Sequence, residues 1–103
     1  MSVATGDSFV FDPAEVSARW PGIPPLILEG LSHYFNERLP VGGFLMRALT
    51  NDFAGACLAA DPDSLAALRQ IAGALSMAPS DTWGSPMLVA RWLQAGRAAR
   101  ERG

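Results

Sequence analysis

The sequence contains no lysine: all eight of its basic residues are arginine. It has one cysteine, Cys57, and one histidine, His33. A single cysteine excludes a disulfide framework and every zinc module built on several thiolates. A single histidine excludes a histidine-rich metal site. β-Branched residues are few, and no segment alternates strictly between apolar and polar, so half-buried strands are not expected. No apolar run approaches the ~18 residues of a membrane span. Residues 1–10 lack the basic and apolar regions of a secretory signal, so a cytoplasmic protein without a membrane partner is expected. The net charge of −2 excludes a generic polyanion binder.

What is present describes a small globular domain. Hydrophobic residues make up 50% of the 103 positions, enough for one core, and charged residues only 17%. The chain holds 17 alanines, 10 glycines and 8 prolines, a skew that reads as GC-rich coding rather than mechanism. Charge is unevenly placed: residues 1–63 carry a net −5 and residues 64–103 a net +3.

The helical period dominates the pattern. Asp12-Pro13 is an N-cap followed by a proline suited to the first helical position, and Trp20-Pro21-Gly22 ends the helix it starts, predicted over 13–19. Pro25 opens a second helix, predicted over 26–39, with Leu28, Leu31, Phe35 and Leu39 on one face, Ile27 and Tyr34 widening it, and Pro40 as its stop. Gly42-Gly43 turns the chain into an apolar stretch interrupted at Thr50-Asn51-Asp52, which predicts a kink or two short helices over 43–50 and 52–60. Asp61-Pro62 repeats the start signal for a helix from 62 to about 76, with Leu65, Leu68, Ile71, Ala72 and Leu75 inward. Ser85-Pro86 starts the last helix, in which Val89, Trp92 and Leu93 face the core. The expected architecture is therefore all-α: a single compact domain of five or six short helices. Residues 1–8 read as a disordered N-terminus, 9–96 as the helical domain and 97–103 as an Arg-rich C-terminal tail. Leu31, Phe35, Leu49, Phe53, Leu68, Leu75 and Trp92 are the expected core.

Candidate sites are few. Glu29, His33 and Glu37 lie four apart, and four residues advance a helix by about 400°, so they share one face. Two carboxylates and an imidazole are the donor set of a divalent metal, but no second histidine exists, and a solvated polar face is the expected reading. Cys57 reads as a buried structural thiol rather than a nucleophile. Gly42-Gly43 lacks the Lys and Ser/Thr of a phosphate-binding loop and reads as a turn. Arg91, Arg97 and Arg100 concentrate charge near the C-terminus, where they would contact phosphates or simply complement a helix end. Trp83, in the loop Ser80-Asp81-Thr82-Trp83-Gly84, is either a plug closing the core from outside or an exposed anchor for a partner. The plug is the expected reading, because a small core needs every large side chain.

Tyr34, Arg38-Leu39-Pro40-x-Gly42-Gly43-Phe44-Leu45, Leu49-x-Asn51-Asp52, Pro79, Trp83-Gly84-Ser85-Pro86 and Trp92-Leu93 form a pattern over residues 28–93. This pattern resembles a set of small proteins encoded by phages and prophages. That set has no assigned activity, so the resemblance implies a setting and carries over no catalytic residue. The expected function is non-enzymatic: protein–protein interaction with a host or phage protein, one form being a counter-defence inhibitor of the anti-CRISPR kind. No cofactor is expected. Candidate partner-binding residues are Glu29, His33, Glu37, Trp83, Arg91, Arg97 and Arg100. The alternatives are a nucleic-acid-associated accessory protein using the Arg-rich end, and a metal-dependent enzyme at Glu29, His33 and Glu37.

Overall fold

The computed structural model describes residues 9–102; residues 1–8, expected from the sequence to be disordered, lie outside the described part. Six helices and no strand are present among the described residues: α1 Pro13–Arg19, α2 Pro25–Glu37, α3 Gly43–Leu49, α4 Phe53–Ala59, α5 Pro62–Leu75 and α6 Pro86–Arg102. The chain is all-α, a single domain around one core. None of these helices is long and apolar enough to cross a membrane.

The helix starts follow from side-chain capping. Asp12 accepts from the N–H groups of Ala14 and Glu15, Asp52 from Gly55 and Asp61 from Ser64. Ser85 Oγ accepts from Leu88 N–H at 3.2 Å. Each cap satisfies a donor that the first helical turn leaves without a partner. The stops are equally local. Arg38 adopts a left-handed conformation (φ 55°), and the Leu39 N–H returns to the His33 carbonyl at 3.2 Å, closing α2 before Pro40. Asn51, also left-handed (φ 66°), makes the break between α3 and α4, a conformation asparagine tolerates better than most residues.

The core gathers Leu31, Tyr34, Leu49, Ile71 and Leu75, all fully enclosed, with Phe35 and Trp92 nearly so. Phe35 is held between Phe11, stacked at 5.6 Å, and Phe9, edge-on at 5.4 Å. The backbone of Phe11 is pinned to α2 by Asn36, which accepts from its N–H and donates to its carbonyl, both at 2.8 Å. Trp92 Nε1 donates to the Tyr34 carbonyl at 2.7 Å, tying α6 to α2.

Several positions differ from the expected core. Phe53 and Leu68 are half-buried, and Leu65 is 49% exposed. The buried side of α5 is Ser64, Ala67, Ile71, Ala74 and Leu75. The small residues face inward because α5 lies close against its neighbours: a Cβ on Gly73 would come 2.6 Å from Trp20 Nε1. Cys57 is exposed, not buried, because α4 presents Ala56 to the core and turns Cys57 and Leu58 outward. The 97–103 segment is not separate from the last helix over its described part, since α6 runs unbroken to Arg102.

Candidate interaction site

α2 carries both the core stripe and the polar row read from the sequence. Glu29, His33 and Glu37 do come together. His33 Nδ1 is hydrogen-bonded to Glu37 Oε2, and His33 Nε2 lies 3.6 Å from Glu29 Oε1. The two acids hold the imidazole above its ordinary pKa, the Glu37 hydrogen bond being the largest cause. The two glutamates are more than half exposed and His33 nearly half. With each ring nitrogen turned to a carboxylate, the ring separates the acids rather than joining them as co-ligands. Among the described residues no group of three or more His, Cys, Asp or Glu side chains is arranged to hold a metal ion.

His33 also lines a groove that the sequence reading missed. About 570 Å³ in volume, it is walled on one side by Leu26, Ile27, Gly30 and His33 of α2. The segment Leu39–Leu45 leading into α3, and Ala59, Asp61 and Ser64 at the α4–α5 junction, supply the rest. Its walls are mainly apolar, and Leu26 is 79% exposed. Asp61 and His33 are its titratable lining residues. The Asp61 carboxyl is held below the usual carboxylate range by the Ser64 N–H, so it stays ionised at neutral pH. No local signal in the sequence marks this groove, because its parts are supplied by three separate stretches of the chain, 26–33, 39–45 and 59–64.

Other candidate residues lie elsewhere. Arg100 reaches back to the end of α2, where Nη1 donates to the Glu37 carbonyl at 3.2 Å. The Arg-rich end and the acidic row therefore meet there. Arg91 and Arg97 are exposed. Six residues separate them, about 240° around the helix, so the arginines of α6 do not form one basic face. Trp83 is half-buried and packs against the core. The enclosed member of its loop is Thr82, whose carbonyl accepts from Tyr34 Oη at 2.5 Å. Gly84 N–H donates to the Leu49 carbonyl at 2.7 Å, from a backbone (φ 109°) that side chains rarely adopt. The groove at α2 is thus an open, mainly apolar feature beside a charged row.

No protein-family model, curated protein or solved structure matches the chain. The functional reading therefore rests on the residues and their geometry.

Proposed function

We propose that this chain acts without catalysis, by binding another protein through the groove between α2, the 39–45 segment and the α4–α5 junction. One observation carries the reading. A concave apolar surface of about 570 Å³ is open to solvent, with Leu26 79% exposed at its edge, and concave apolar surfaces with a few polar groups are where occupants bind. A phage or prophage setting, which the sequence pattern resembles, would make the partner a host or phage protein in the cytoplasm. Inhibition of a host defence complex is one form such binding takes.

The test compares two immobilised proteins, the full chain and a Leu26→Ser/Gly42→Leu variant, in capture from bacterial lysate. Leu26 is exposed and a Cβ on Gly42 meets nothing within 4 Å, so the variant is expected to keep its fold, which a matched melting curve checks. The expected result is a protein retained by the natural chain and lost from the variant. Identical sets from both would contradict the proposal.

A further inference from the structure

We infer, resting on that reading of the groove, that its occupant is a protein segment presenting a bulky apolar side chain beside a lysine or arginine. Two observations lead there.

The first is charge. Asp61 lines the groove, and Glu29 and Glu37, outside its lining, pair with the His33 that lines it. No arginine is among its lining residues. The neighbouring arginines have other engagements: Arg38 lies over the Trp92 ring at 3.9 Å, Arg47 is 3.5 Å from Asp52, and Arg100 bonds the Glu37 carbonyl. An occupant with a cation beside its apolar anchor meets complementary charge, whereas an acidic one is repelled.

The second is the glycine pair. Gly42 and Gly43 line the groove, and a Cβ on either would meet nothing within 4 Å. Neither has a positive φ. Internal packing and backbone geometry therefore do not require glycine at these two positions. Gly96 is the contrast, for its Cβ would fall 2.4 Å from Arg38 Cβ. What the bare Gly42-Gly43 backbone does provide is a groove edge with no side chain, against which another chain packs closely. This answers why an N-cap and a first helical position, where Ser, Asp or Ala serve the helix better, are both glycine.

The test selects displayed random peptides on the full chain and measures the affinity of the enriched ones. The account expects sequences with Leu, Phe, Met or Trp beside Lys or Arg, and affinity that falls as salt rises. Affinity should fall by about tenfold or more in Gly42→Leu, and comparably in Glu29→Gln/Glu37→Gln/Asp61→Asn, which removes charge and keeps a capping side chain at 61. Leu26→Ser is the second groove variant should Gly42→Leu melt early. Enriched peptides that are neutral or acidic yet blocked by Gly42→Leu would overturn this inference and leave the groove reading standing. Peptides indifferent to both groove variants, or no enrichment at all, would overturn the groove reading itself. Self-association of the chain abolished by Gly42→Leu would assign the groove to a second copy and overturn the inference.

Discussion

Tyr34 shows how much single residues decide in so small a core. Its ring is fully enclosed, and its hydroxyl donates to the Thr82 carbonyl while its own carbonyl receives the Trp92 indole N–H. Tyr34→Phe leaves the Thr82 carbonyl without that donor, and is expected to cost about 1–3 kcal/mol in denaturant unfolding. Burial pushes the Tyr34 phenol above its ordinary value of 10.0. The folded state therefore binds the proton more tightly, so the Tyr34 contribution to stability is constant below about pH 10 and declines as the pH rises above it. Tyr34→Phe should flatten that alkaline limb. His33 gives a second residue-level check. An NMR titration of its ring should have a midpoint above 6.5, lowered more by Glu37→Gln than by Glu29→Gln. Its contribution to stability is present below pH 6.5 and lost as the pH rises through the folded midpoint. The sequence placed Tyr34 on the apolar side of α2 by periodicity alone. It held no sign of Thr82 or Trp92 as partners, because those contacts join distant parts of the chain.

The helices themselves were legible wherever their signals are local. Asp12, Asp61 and Ser85 cap as their Asp-Pro and Ser-Pro contexts predict, and Asn51-Asp52 splits the middle stretch into α3 and α4. Asp61→Ala should lower stability by about 1 kcal/mol in thermal or chemical unfolding. Gly43→Ala, at the start of α3 with open space around the new methyl, should raise it by about 0.4–1 kcal/mol. Gly96→Ala should instead destabilise, because the methyl meets the Arg38 side chain at 2.4 Å and its carbonyl at 3.0 Å, forcing α6 away from α2. Matched melting curves of the two alanine variants test that difference in sign. Facing was less legible than extent. In α4, Phe-Ala-Gly-Ala-Cys-Leu-Ala has no polar residue to mark an outer side, so Cys57 and Leu58 gave no sign of being exposed. In α5 the large Leu65 and Leu68 suggested the inner stripe, but close packing selected Ser64 and Ala67. Apolar residues inside is a rule that runs one way, and a short helix has room to turn a leucine outward.

At the scale of the whole molecule, the polar row of α2 was readable and the groove beside it was not. Glu29, His33 and Glu37 share a face by spacing alone. The groove exists only once Leu26 and Ile27 are set beside Val41 and Phe44, and beside Asp61 at the start of α5. The same folding brings Arg100 to the end of α2, joining two features that lie far apart in sequence. It leaves Gly42 and Gly43 bare on the groove edge, where a Cβ would meet nothing within 4 Å. The most direct measurement is hydrogen–deuterium exchange of the full chain with and without the protein it captures. The account predicts added protection over residues 26–33 and 41–45, with the loop at Thr82 and Trp83 unchanged. Protection confined to that loop or to the arginines of α6, with the groove segments exchanging as before, would contradict it.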